Sequence, residues 1–181
     1  HAPLRYAARD VFPHPRIAQM SGRSAIEAHS SGRFTLRRAR PEESQLAYNV
    51  KRAAQTAAGE AWDDANEWQA HQRRFASQEY YLLEELGQAV GVMALMVDAE
   101  RIRLNQFFLL PGHQGKGLGS RALRVLADEA DRRGLPIRLD VKPENHRAIA
   151  LYRRFGYREV ERSDASVAMV RYCKGSAPGE G

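Results

Sequence analysis

Apolar positions along this chain follow two periods, and the places where one gives way to the other mark its elements. An alternating run at Phe34–Arg38 predicts a strand. Pro41, Glu42 and Glu43 then open a helix, because Pro is tolerated in a first turn and acids suit a helix N-terminus. Leu46, Val50, Ala53, Ala54 and Ala57 keep helical spacing, and Gly59 ends the run. A second helix is predicted from Asp63 or Asp64, with Ala65, Trp68 and Phe75 on one face. Three strand-like runs follow at 79–85, 89–97 and 101–110, separated by Gly87-Gln88 and by Asp98-Ala99-Glu100. Connections this short imply antiparallel neighbours. Residues 117–133 read as a helix with Leu118, Ala122, Leu126 and Ala130 on one stripe, stopped by Gly134 and Pro136. Ile137, Leu139 and Val141 alternate with Arg138, Asp140 and Lys142, which is a strand. Asn145 caps a helix that places Ala148, Leu151, Tyr152 and Phe155 on one side, and Gly156 closes it. Two last strands are expected at 157–161 and 166–172.

The order β-α-α-β-β-β-α-β-α-β-β is that of an α+β (mixed α/β) sandwich around one central sheet. The organised domain is expected over residues 33–174, with 175–181 as a flexible tail. Residues 1–32 carry Pro3, Pro13, Pro15, Gly22 and Gly32 with little apolar periodicity, and read as an N-terminal extension, part of it able to order against the domain. This segment is rich in Arg and poor in acids, as transit peptides are, and contains Met20 as an alternative start.

Composition narrows the function classes. No secretory leader and no membrane-length apolar run stand in the sequence, so the chain is read as cytoplasmic and without a membrane partner. The single cysteine, Cys173, cannot form an intrachain disulfide and reads as a strand residue. The six histidines are scattered without ligand spacing, so no metal is expected. The net charge of +6 is spread along the chain, and no zinc finger, aromatic RNA-binding pair or KH loop accompanies it. Solvated surface arginines are preferred over a nucleic-acid partner. A homodimer is left open, with no seam in the sequence to mark it.

The loop at 111–119, Pro-Gly-His-Gln-Gly-Lys-Gly-Leu-Gly, joins a strand to a helix. Glycines let the backbone approach a ligand closely, and the helix start adds its positive end, so the site favours phosphate. It fails as a P-loop, because Gly117 stands where Ser or Thr is required. It fails as a dinucleotide fingerprint, because Ser120 occupies the third glycine position counted from Gly115. What remains is Q/R-x-x-G-x-G/A, carried by Gln114, Gly117 and Gly119. Further on, residues 145–157 read Asn-His-Arg-Ala-Ile-Ala-Leu-Tyr-Arg-Arg-Phe-Gly-Tyr. This is N-x-x-A-x-x-L-Y-x-x-x-G-F with Tyr157 in place of the Phe.

In these two motifs, in this order, the chain resembles the GNAT (GCN5-related N-acetyltransferase) family, locally the ribosomal-protein alanine N-acetyltransferases. The resemblance implies a mostly antiparallel sheet of about seven strands flanked by four helices. It implies acetyl-CoA as co-substrate, held by Gln114, Gly115, Lys116, Gly117, Leu118, Gly119 and Ser120 together with Asn145 and Tyr152. Phe108, Leu109 and Leu110 would pair along its arm, with a backbone N–H near Leu109 facing the thioester oxygen. It implies that Tyr152 is the general acid for the leaving thiolate and that an amine is acetylated by direct attack. A base is still needed, because an alkyl amine is protonated at neutral pH. Asp140, twelve residues before Tyr152, is the candidate, with a surface carboxylate as the equal alternative. The acceptor, a small-molecule or peptide amine, would lie near Trp62 and Asp63, although an acidic helix start accounts for Asp63 as well. Glu84 is a further acceptor-side candidate and, with Glu85, a reserve base. The competing reading is an acyl-CoA-binding regulatory module that lacks catalysis.

Overall fold

The computed structural model describes residues 24–175. They form one eight-stranded sheet with helices on both faces. The strands are β1 (His29–Ser31), β2 (Phe34–Arg38), β3 (Glu79–Glu85), β4 (Gln88–Val97), β5 (Ile102–Leu109), β6 (Ile137–Val141), β7 (Arg158–Arg162) and β8 (Val167–Arg171). The helices are α1 (Ser44–Ala57), α2 (Asp64–Ser77), α3 (Leu118–Arg133) and α4 (His146–Arg154). Strand order is β1-β2-β3-β4-β5-β6-β8-β7. Every pairing is antiparallel except β5 with β6.

The unbroken apolar runs of β3 and β4 follow from burial on both faces. Tyr81, Leu83, Met93 and Leu95 join Ala122, Leu126 and Ala130 of α3 and Ile149 of α4 in one core. Tyr80, Leu82, Val92 and Ala94 pack on Ala47 and Val50 of α1, with Phe75 of α2 beside them. β6 keeps the predicted alternation, with Ile137 and Leu139 in the first core.

Two features depart from the predicted order. β1 is one strand more, and it falls among the residues read as extension. Its sequence His-Ser-Ser is exposed throughout and is held by backbone pairing to β2. Just before it, Ala25 and Ile26 are buried, with Ile26 N–H donating to Tyr81 Oη at 3.0 Å. Residues 24–32 therefore pack as part of the domain, while residues 1–23 and 176–181 lie outside the described residues. The first helix also begins later than Pro41: Pro41–Glu43 is a single 3-10 turn ahead of α1. Glu43 is buried and taken up by Arg37, whose Nη1 and Nη2 donate to it at 2.8 Å each. Those bonds hold its carboxyl down at about 2.

The sheet opens at one place. β5 and β6 pair over only three rungs, Ile102–Ile137, Arg103–Arg138 and Leu104–Leu139. Beyond Leu104, β5 runs on for five residues on which β6 makes no pairing. A bulge falls at this point, because Leu95 faces Leu104 while Ala94 faces Gln106, leaving Asn105 as the extra residue. A bulge bends its strand and re-aims the side chains after it. Here it turns Gln106 to the α1 face, opposite the face that holds Leu104.

Candidate functional site

The glycine loop sits at the end of the diverging strand. After β5 the chain makes a 3-10 turn at Pro111–His113, and Gln114 Nε2 donates back to the Leu109 carbonyl at 3.0 Å. His113 Nδ1 lies 2.7 Å from Glu85 Oε2, which ties the turn to the end of β3. Gly115 and Gly117 have φ of 74° and 80°, where a side chain is strained. Gly117 is the N-cap of α3 and brings no side-chain cap. α2 and α4 are capped by side chains, those of Asp63 and Asn145, while α1 has no side-chain cap hydrogen bond. The first helical bond to return to Gly117 comes from Arg121 N–H, so the N–H groups of Leu118, Gly119 and Ser120 have no acceptor within the helix. Lys116 and Arg121 flank them at the surface.

Close packing joins this loop to α4. A Cβ on Gly119 would lie 3.3 Å from Leu109 and 3.9 Å from Leu151. One on Gly115 would lie 3.4 Å from Arg147 Nη2. The two sequence motifs therefore meet. Together they make a bare backbone loop beside an edge of β5 that has no strand partner among the described residues, which fits an extended ligand with a pyrophosphate, as acetyl-CoA has.

Tyr152, next to Leu151 on α4, packs in the core and is 7% exposed. Its hydroxyl makes no hydrogen bond among the described residues, and burial pushes its pKa up. Its ring rests on Tyr157, with centroids 5.4 Å apart. Asn145, expected at the ligand, accepts from Ala148 N–H at 3.1 Å and serves α4 as its cap.

The opposite face of the opening is lined by polar groups from several elements. Asp140 follows the last β5–β6 rung; its side chain is 41% exposed and 3.4 Å from Arg103 Nη2. Gln106 is buried and accepts from Tyr80 Oη at 3.2 Å. Glu60, in the loop after α1, is 2.9 Å from Lys142 at the end of β6 and so carries that loop to the opening. Trp62 in the same loop donates through Nε1 to Tyr48 Oη and to Asp64, each at 3.1 Å. Lys51 lies below it, 4% exposed, with Nζ 3.0 Å from Glu67 and 5.4 Å from the Trp62 ring centre. Burial pushes the Lys51 pKa down, and Glu67 opposes that shift.

The structure thus joins Leu109 and the loop glycines Gly115 and Gly119 to α4, the helix that carries Tyr152, while Phe108 and Leu110 pack on the α1 side, where Asp140 and Trp62 also lie. Asp63 is engaged as a cap, its carboxylate accepting from the Asn66 N–H and side-chain amide. Glu84 stands apart: it accepts from Arg37 at 2.7 and 3.0 Å on β3, two strands from β5. The sequence marks Glu60 as part of the acidic stretch with Trp62 and offers Gln106 as a polar group of its strand, but gives no sign of Lys51. That these groups line the opening depends on the bulge and on helix packing, which only the fold supplies.

Comparison with known proteins settles the family. The sequence model of the acetyltransferase (GNAT) family matches residues 47–157, more than half of the chain. The chain belongs to the GNAT acetyltransferase family. The match covers both motifs and the opening between β5 and β6. N-alpha-acetyltransferase RimI of Mycobacterium tuberculosis is 46% identical over 50 residues, which are 28% of this chain and 30% of that relative. The chain therefore matches less than a third of that relative's length. The ribosomal-protein-S18-alanine N-acetyltransferase from Escherichia coli has the same fold, with a TM-score of 0.65 and 23% identity over 81% of this chain and 97% of its own. The PaiA N-acetyltransferase from Thermoplasma acidophilum, solved in complex with coenzyme A, has a TM-score of 0.64 and 15% identity over 77% of this chain and 98% of its own. Among the described residues no helix of this GNAT chain is long and apolar enough to cross a membrane.

Proposed function

We propose that this chain is an acetyl-CoA-dependent N-acetyltransferase that acts on a primary amine, with the α-amine of a peptide as the first acceptor to test. The observation that carries the reading is the contact of the glycine loop with Leu109 of β5 and with α4, the helix of Tyr152, beside the edge of β5 that β6 does not pair. The peptide acceptor is favoured by the names of two relatives, an N-alpha-acetyltransferase and a ribosomal-protein-alanine N-acetyltransferase.

Acetyl-CoA supplies the acyl group and a thiol leaving group. The loop N–H groups with Lys116 and Arg121 hold its phosphates, and the free edge of β5 from Asn105 to Leu109 binds its arm as an added strand would. A β5 N–H at this edge faces the carbonyl oxygen and stabilises the charge that grows on it. Asp140 takes the proton of the attacking amine, directly or through water, and Arg103, 3.4 Å away, orients that carboxylate. Tyr152 gives its proton to the sulfur. The two groups come from opposite faces of the sheet, so different side chains serve the amine and the sulfur. Trp62 offers the acceptor an aromatic face at the mouth.

The base assignment has a pH signature. Asp140→Asn lowers kcat/KM for the amine about a hundredfold near neutral pH. The loss shrinks as pH approaches the pKa of the amine, where the acceptor arrives already neutral. Steady-state rates of thiol release across pH would show this. A loss of the same size at every pH, or none, would remove Asp140 from the role.

A further inference from the structure

β1 and β2 join through a two-residue turn, Gly32 and Arg33, closed by the pairing of Ser31 with Phe34 and made possible by φ of 62° at Gly32. A turn this short holds Arg33 in a fixed place at its tip. β1 is exposed along its length and adds no side chain to the core. The hairpin stands against the start of α3, where Arg121 Nη1 lies 3.5 Å from the Ser31 carbonyl oxygen. Between them is a cleft of about 250 Å³, whose lining includes Ser31, Arg33, Glu85, Lys116, Leu118 and Arg121. Cations from the hairpin, the glycine loop and α3 thus border one opening. Among the described residues the side chains of Arg33 and Lys116 have no hydrogen bond or ion pair. Glu85 is the acid in the lining, and His113 Nδ1 lies 2.7 Å from its Oε2. Like charges gathered at one opening repel unless an anion lies between them. The hairpin precedes residue 47, where the family match begins, so Arg33 is outside the matched region.

We propose that this cleft takes a phosphate monoester and that Arg33 is the residue that selects for it. Such a group carries about two negative charges near neutral pH and presents three acceptor oxygens. A guanidinium can grip two of those oxygens at once, and an ammonium adds a point charge. Lys116 and Leu118 belong to the glycine loop, so the cleft adjoins the N–H groups assigned to the pyrophosphate. A ligand with a diphosphate and a further phosphate on its ribose fills both places, and acetyl-CoA carries that further phosphate at its 3′ position. In this form the inference rests on the proposed acetyl-CoA site, and adds the group that tells the cofactor from its dephospho form. A separate phosphate ester bound beside the loop meets the same chemistry.

The test measures binding of acetyl-CoA and of acetyl-dephospho-CoA, which lacks the 3′-phosphate, by calorimetry with wild type, Arg33→Gln and Arg124→Gln. Arg124 is exposed on α3 and does not line the cleft, so its variant removes the same charge elsewhere. Wild type is expected to prefer acetyl-CoA about tenfold, the scale of a hydrogen bond between charged groups. Arg33→Gln should lose most of that preference while binding acetyl-dephospho-CoA as wild type does, and Arg124→Gln should keep it. A titration with inorganic phosphate, followed through the NMR amide signals of residues 32 and 33, covers the other source. Equal binding of the two cofactors, with phosphate shifting those signals in wild type and Arg124→Gln but not in Arg33→Gln, supports a separate phosphate ester. A preference kept in Arg33→Gln, or lost equally in Arg124→Gln, overturns the inference, as does equal binding of the two cofactors without that phosphate response. If wild type binds no acetyl-CoA, the cofactor reading fails on its own account, and the phosphate titration alone decides the cleft.

Discussion

Tyr152→Phe is expected to lower kcat by about 10²–10⁴-fold, the range for loss of a positioned general acid, while the affinity for acetyl-CoA stays within about twofold. The physical case rests on what the hydroxyl does not do. It makes no hydrogen bond among the described residues, so its removal breaks no structural contact and leaves the ring packed against Tyr157. The substitution also spares every backbone N–H of the loop. Binding and chemistry should therefore separate: calorimetry with acetyl-CoA reports the first, and thiol release with a saturating amine reports the second. Raising the pH should not restore the rate, because the missing group is an acid. The Asp140→Asn defect, in contrast, is expected to fade at high pH. A Tyr152→Phe protein that turns over at the wild-type rate would show that the thiolate leaves without help from this side chain.

Gly117→Asp is expected to weaken acetyl-CoA binding about a hundredfold, a loss of about 2.7 kcal/mol. Gly117 caps α3 in the left-handed region, at φ 80°, and brings no side chain to the first turn. Asp visits that region more readily than most residues and is a good N-cap, so the helix survives the change. Its carboxylate would then occupy the N–H groups of the first turn and repel the phosphates they serve. Gly117→Asn separates charge from geometry. It carries the same backbone strain and the same capping amide oxygen without the negative charge, and should lose much less affinity. Equal losses in the two variants would assign the effect to backbone strain and weaken the claim that the loop binds an anion.

Local chemistry alone marks the cofactor side of the proposed site in the sequence. Glycines at 115, 117 and 119 encode a bare loop by themselves, and Asn145 and Gly156 fix the ends of the helix that carries Tyr152. β3 and β6 fall where their apolar patterns placed them. Features built from long-range pairing stayed hidden. His29–Ser31 has no periodicity, because an exposed edge strand is held by its backbone alone. The bulge at Asn105 interrupts the alternation of Ile102 and Leu104 with two polar residues in a row, Asn105 and Gln106, but only the pairing with β4 shows that Gln106 faces α1. Glu84 reads as an available carboxylate until β2 is set beside β3, where Arg37 claims it. The acceptor side suffers most from this. Lys51, Glu60, Trp62 and Asp140 come from α1, its following loop and β6, and only the packed fold gathers them.

The central claim is that this opening transfers an acetyl group to an amine. Thiol release from acetyl-CoA by the wild-type chain tests it most directly, measured with a peptide bearing a free α-amine, a peptide whose only amine is a lysine side chain, and a polyamine. Saturable release that depends on the amine, with one acetylated product formed per thiol, is the predicted result. Tight binding of acetyl-CoA by calorimetry with no amine-dependent thiol release across the panel would contradict it, and would make the chain a non-catalytic acyl-CoA-binding module.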